Sequence, residues 1–236
     1  DGDLLETCVK GAARAAEEAG VTVVAGDTKV VPRGKGDGIY AVTAGFGVVP
    51  PGRDLGDAKI EVGDAILVSG PIGDHGATIL AHRHGLDAPG LRSDCAPLAG
   101  LAEAVLESGA AVRAMHDPTR GGVVTVCHEV SDRSGARVML IEDDLPVRRE
   151  VAGVCDLLGL DPLALACEGR MLVWVAGDQA QLLLDVMRAH PRGEGAAIIG
   201  TMKELEAGTP PVVMNTRVGG ERPLDLLSGL DLPRIC

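Results

Sequence analysis

The sequence predicts a mixed α/β and α+β chain, and three observations carry that prediction. Amphipathic stretches of helical spacing alternate with short apolar runs of strand length. The last strand candidates are spaced like a hairpin, which argues for a mixed sheet rather than a purely parallel one. A Pro and Gly cluster, Pro50-Pro51-Gly52, separates a short first segment from the rest. The expectation is a remnant of one domain at 1–52, a two-layer domain at 53–218 and a flexible tail at 219–236.

Each element follows from its residues. Leu4, Leu5, Cys8, Val9, Ala12, Ala13 and Ala16 recur at helical spacing, with Gly20 as a stop. Val21 to Ala25 reads as a short buried strand, and Ile39 to Val49, rich in β-branched residues, as a second. Beyond the Pro/Gly cluster, strands are expected at Asp64–Ser69, Val112–Met115, Arg137–Ile141, Arg170–Val175, Ala196–Thr201 and Pro211–Asn215. Helices are expected from Asp74, over Ala96–Glu107, Val123–Asp132, Val147–Leu158 and Asp178–His190. Because the chain starts at Asp1 without methionine and enters a helical pattern at once, it is expected to be a fragment of a longer protein.

Composition limits the partners. A net charge of −12 argues against a broad nucleic-acid footprint, though it leaves nucleotides open, since these need only a few placed cations and a divalent metal. No apolar run approaches membrane-spanning length and no signal peptide is visible, so a cytoplasmic protein is the simplest expectation. The six cysteines show no C-x-x-C spacing, and the five internal ones read as reduced, mostly buried thiols.

The end of the chain differs from the rest. Cys236 is the final residue, after Leu232-Pro233-Arg234-Ile235, so no sequence beyond it can pack it into a core. Gly219, Gly220, Pro223 and Pro233 suit an arm better than a buried strand. From Gly219 such an arm reaches on the order of 50 Å at roughly 3.3 Å per residue. It reads either as a tether for a nucleophile or as a frayed terminus.

Three short stretches could carry chemistry. In Gly26-Asp27-Thr28-Lys29, after an apolar run, an aspartate can hold magnesium, a hydroxyl can bond a phosphate and a lysine can neutralise charge. The Walker spacing is absent, and the same four residues also describe a solvated turn. Asp117-Pro118-Thr119-Arg120-Gly121-Gly122 lies between a strand and a helix, where free amides attract anions, Arg120 can grip phosphate and two glycines admit a ligand; it reads equally as a capping loop. Glu168, ahead of an apolar strand, is a candidate base or a turn residue. His75, His82 and His84 share a helix but not a face, which disfavours a metal site, and Glu142-Asp143-Asp144 reads as a solvated loop.

Taken together, Val24–Val31, Gly34–Gly38, Gly70–Gly76, His116–Gly122, Glu168-Gly169-Arg170 and Pro233–Cys236 resemble the HypE family of hydrogenase maturation proteins, over essentially the whole chain and the later two-thirds of such a protein. The resemblance implies a two-domain aminoimidazole ribonucleotide synthetase-like fold, here with an incomplete N-terminal ATP-binding domain. It implies ATP-dependent dehydration of an S-carbamoyl group on Cys236 to a thiocyanate, which supplies cyanide ligands to the iron of nickel-iron hydrogenase. On that reading Cys236, Lys29 and Glu168 are catalytic, and Asp27, Thr28, Asp117 and Arg120 bind ATP. Mg2+ sits on Asp27, and Arg234 docks the tail. Implied partners are the carbamoyltransferase HypF, the HypC-HypD iron scaffold complex and, in the full-length protein, a second copy in a homodimer. The family's glycine-rich loop and further acidic residues fall upstream of Asp1, so little turnover is expected from this chain alone. Two other readings remain: a different ATP-dependent synthetase or kinase of the fold, which has no use for a terminal cysteine, and a non-catalytic maturation scaffold.

Overall fold

The computed structural model describes residues 2–226. The expectations for Arg234 and Cys236 therefore lie outside the described residues. The chain forms two units, Asp1–Arg53 and Asp54–Cys236, each described by itself.

In the first unit, α1 (Gly2–Glu18) forms as its apolar spacing predicts. The strands expected at Val21–Ala25 and Ile39–Val49 do not form, and Val42 and Phe46 remain 94% and 96% exposed. The hydrogen bonds after the helix are local turns, such as Val21 N–H to Ala16 O (2.9 Å) and Lys35 N–H to Pro32 O (3.0 Å). β-branched residues favour strands because they pack on a paired, half-buried surface, and within this unit nothing supplies that surface.

The second unit is built on a seven-stranded sheet. Its strands are β1 (Ala65–Val68), β2 (Val112–His116), β3 (Arg137–Ile141), β4 (Leu172–Val175), β5 (Ala197–Lys203), β6 (Val212–Asn215) and β7 (Glu221–Pro223). Their order is β2-β4-β1-β5-β3-β6-β7, antiparallel throughout except for the parallel pair β3–β6, so the sheet is mixed as the spacing predicts. The helices are α2 (Asp74–His84), α3 (Ala99–Glu107), α4 (Gly122–Ser134), α5 (Arg149–Leu158) and α6 (Ala180–Ala189).

Helices cover both faces of the central strands, which adds a third layer to the two expected. The reason is in the strands themselves: β1 (AILV) and β4 (LVWV) are apolar at every position, so neither face can be left in water. Ile66, Val68, Leu172 and Trp174 pack with Val123, Val126, Cys127 and Val130 of α4. Leu67, Val173 and Val175 pack instead with Leu101 and Val105 of α3 and Leu183 and Met187 of α6. A third cluster joins α2 to α5 through Ala77, Leu80, Val151 and Val154, with Leu165 against them.

The stretch predicted as a flexible tail from 219 is anchored at its start. Gly219 and Gly220, at φ 87° and 89°, make a hairpin turn, and β7 pairs antiparallel with β6. The paired glycines that suggested an arm are what a tight reversal with positive φ requires. Arg137 to Glu221 (2.6 Å) and Arg222 to Asp161 (2.8 Å) flank the strand. The acidic run predicted as a solvated loop also grips this hairpin, since Glu142 Oε2 accepts from Arg217 N–H (2.9 Å) and Asp143 pairs with Arg217 (2.8 Å). Leu224 is buried, its N–H donating to Val212 O (3.1 Å) and its carbonyl accepting from His128 Nε2 (2.6 Å).

Candidate functional site at one end of the sheet

Strand register decides which loops meet. Leu172, at the start of β4, is opposite both Val68, at the end of β1, and His116, at the end of β2. The chain leaving β1, the chain leaving β2 and the chain entering β4 therefore lie side by side at one end of the sheet. Those are the stretches Gly70–Gly76, Asp117–Gly122 and Glu168–Arg170, separated by dozens of residues in sequence.

Hydrogen bonds tie the three together. Cys167 N–H donates to Pro118 O (2.9 Å), Gly76 N–H to Ala166 O (3.0 Å) and Ser69 N–H to Met171 O (2.9 Å). Arg170 Nε donates to Pro71 O (2.7 Å), and its Nη1 donates to Gly169 O (3.0 Å). Gly73 N–H, at the start of α2, points to the sulfur of Cys167 (3.2 Å). Burial pushes the Cys167 thiol up to about 12, so it stays protonated and inert.

The two glycines of the second loop have a different task from the one expected of them. A Cβ on Gly122 (φ 62°) would lie 2.4 Å from Leu163 O and 2.6 Å from Leu165 O, while one on Gly121 would collide with Thr125. Gly122 admits the protein's own backbone at 163–165, and Gly121 makes room for the Thr125 side chain. Asp117 and Arg120 remain exposed at this end of the sheet.

Beneath the loops lies a cluster of buried charge. Asp74, 1% exposed, faces Arg170 (3.5 Å) and Arg148 (3.6 Å). Burial raises its carboxyl above the usual range, against the pull of the two arginines. Asp94 Oδ1 accepts from Glu168 N–H (2.9 Å), and Asp94 Oδ2 lies 3.7 Å from Arg170 Nε. His75 is buried with Nδ1 at 2.9 Å from Ser93 Oγ, whereas His82 and His84 are exposed. Four buried atoms here lack a hydrogen bond: Asp74 Oδ1, His75 Nε2, Asp94 Oδ2 and Glu168 Oε1. Each such atom costs about 1–3 kcal/mol, and clusters of them are typical of functional sites rather than of cores.

The structure thus brings Glu168, Asp117 and Arg120 to one end of one sheet. Asp27, Thr28 and Lys29 belong to the first unit, where all three are exposed and Asp27 Oδ1 accepts from Thr28 N–H (2.8 Å). Sequence reasoning missed Asp94 and Ser93. They sit in a polar stretch, Arg92-Ser93-Asp94, that looks like a solvated loop, and no local signal marks Asp94 as buried.

Comparison with known proteins gives a consistent picture. The AIR synthase related protein, C-terminal domain, matches residues 61–210. The carbamoyl dehydratase HypE of Azotobacter vinelandii is 48% identical over 233 residues, covering 98% of this chain and 68% of that protein. A hydrogenase maturation protein HypE solved in complex with ATP aligns with a TM-score of 0.88 at 41% identity, covering 100% of this chain and 71% of that one. A HypE-HypF complex aligns with a TM-score of 0.85 at 36% identity, covering 96% of this chain and 73% of that one. Among the described residues, no helix is long and apolar enough to cross a membrane, and no group of three His, Cys, Asp or Glu is placed to hold a metal.

Proposed function

The chain belongs to the HypE carbamoyl dehydratase family, with the AIR synthase-related C-terminal domain, and from that membership we propose that it dehydrates an S-carbamoyl group on Cys236 to a thiocyanate. The observation that carries this reading is the end of the sheet where Glu168 holds a buried, unpaired carboxylate oxygen beside the exposed Asp117 and Arg120. An oxygen in that condition has its lone pairs free for an incoming N–H.

A carboxamide oxygen leaves poorly, and ATP supplies the phosphoryl group that turns it into phosphate. Glu168 takes protons from the nitrogen as the carbon–nitrogen triple bond forms and the carbon–oxygen bond breaks. Lys29 stabilises charge on the oxygen, and Cys236 carries the group undergoing reaction. Thr28 and Arg120 donate to phosphate oxygens, and Asp117, which as a carboxylate only accepts, binds ATP through a hydroxyl of the nucleotide. Asp27 uses one oxygen on Thr28 N–H, and its carboxylate has a second for Mg2+, an ion usually bound by one or two carboxylates plus phosphates. Arg234 docks the tail.

On this reading residues 1–52 are part of an ATP-binding domain that pairs with a second copy, 53–218 form the C-terminal α+β domain, and 219–236 carry Cys236. HypF delivers the carbamoyl group, an assignment supported by the solved complex of a relative. The HypC-HypD complex receives the cyano group. A cytoplasmic setting suits the five cysteines that are free among the described residues.

The test follows the mass of the tail peptide in the full-length protein, given HypF, carbamoyl phosphate and ATP. Glu168→Gln accepts the carbamoyl group normally but dehydrates it about 10²–10⁴-fold more slowly. Cys236→Ala accepts nothing. Thiocyanate formation at the wild-type rate in Glu168→Gln refutes the role of that residue.

A further inference from the structure

A base is only as good as its aim, and Glu168 sits in an irregular stretch between a 3₁₀ turn (Pro162–Ala164) and β4, where no sheet pairing fixes it. Its orientation has to come from elsewhere. The side chain of Asp94, 0% exposed, accepts the backbone N–H of Glu168 at 2.9 Å. On the other side of Glu168, Gly169 O accepts from Arg170 Nη1 (3.0 Å). The same guanidinium is held by Pro71 O at 2.7 Å and faces Asp94 at 3.7 Å. Asp94 therefore grips the peptide unit entering Glu168 directly, and it faces the arginine that grips the carbonyl beyond.

Main-chain packing reinforces this. A Cβ on Gly169 would come 1.8 Å from Asp94 O and 3.0 Å from Ala96 N, so segments 94–96 and 168–169 touch backbone to backbone. The acceptor oxygen is what holds the Glu168 N–H, and an asparagine would supply it equally well; the second oxygen, Asp94 Oδ2, lacks a hydrogen bond.

We infer that Asp94 is a positioning residue for the dehydration, which aims the Glu168 carboxylate by fixing its peptide from below. This rests on the reading of Glu168 as the base. Asp94 touches no substrate. Its effect passes through the direction of the Glu168 side chain, and a misplacement of about 1 Å at a reacting group costs on the order of 10²-fold in rate.

The experiment measures ATP-dependent thiocyanate formation on the tail peptide of the carbamoylated, full-length protein. It also measures amide exchange at residues 167–170. Asp94→Ala is expected to lower kcat about 10- to 100-fold with KM for ATP within about twofold, and to speed exchange at the Glu168 amide about tenfold. Asp94→Asn, which keeps the acceptor, restores kcat to within about threefold. A residue needed only for stability would lower the melting temperature without this split and without this rescue. Wild-type kcat in Asp94→Ala overturns the inference. Should Asp94→Ala fail to fold, Asp94→Glu takes the same measurement, since it displaces the acceptor by one methylene while keeping the charge. Normal turnover there overturns the inference equally. Glu168→Gln run in parallel separates the two ideas: if it dehydrates normally the base assignment fails, and if only the Asp94 variants do, the positioning role alone fails.

Discussion

On the reading in which Cys236 carries the reacting group, Leu224→Ala tests where its tether begins. Leu224 is 3% exposed in the core cluster beneath α4, and its two backbone bonds, to Val212 O and from His128 Nε2, close the edge of the sheet. Truncating a buried leucine costs 2–5 kcal/mol, and a site at a sheet edge that can partly collapse belongs near the lower end, about 2–3 kcal/mol. With a urea slope of about 2–3 kcal/mol/M, the unfolding midpoint falls by about 1 M. The catalytic effect is expected to be small. On that reading the tether is residues 225–236 with Leu224 anchored, and 219–236 if β7 peels back to the hairpin turn. Lengthening a tether by half costs only about 0.4 kcal/mol in closure entropy, roughly a twofold loss in the rate of thiocyanate formation. A midpoint within about 0.3 M of wild type would show that Leu224 is not docked. A loss beyond about tenfold in a folded variant would show that the geometry of the root, not tether length, governs delivery.

Gly122→Ala is expected to cost about 3 kcal/mol or more, since the left-handed conformation contributes about 1–2 and the collision with the 163–165 carbonyls the rest. Gly135→Ala, at φ 69° with no atom within 4 Å of the added carbon, should show only the first part, and thermal unfolding of the two variants separates them. Burial alone would raise the Asp57 carboxyl, but hydrogen bonds and charge from His116 and Arg133 outweigh it and hold the group below its ordinary 3.8. A lowered folded value means stability fully present above about pH 4 and lost as pH falls through the folded value. Asp57→Asn should therefore be less stable at neutral pH yet show a flatter loss in acid, measured as urea midpoints from about pH 6 down to 2.

What was legible in the sequence follows from whether the signal is local. Apolar periodicity placed the helices and six strands of the second unit, because a buried face imposes its spacing on the residues that make it. The same reasoning failed at Val21–Ala25 and Ile39–Val49, where composition is strand-like but pairing is a property of two segments and neither finds a second within its unit. It failed again at Glu221–Pro223, whose charged residues and proline say edge strand only once β6 is known to lie alongside. The site divides in the same way. Glu168, Asp117 and Arg120 stood out by residue type, yet their proximity depends on Leu172 facing both Val68 and His116, a register that no single stretch encodes. Asp94 is the limiting case. In sequence it is one acid in a polar loop; in the fold its carboxylate is buried under the Glu168 peptide, and the need for glycine at 169 comes from the Asp94 carbonyl seventy-five positions earlier. A motif such as Glu168-Gly169-Arg170 is thus held by a residue outside it: Asp94 constrains all three, through the N–H of the first, the missing side chain of the second and the charge of the third.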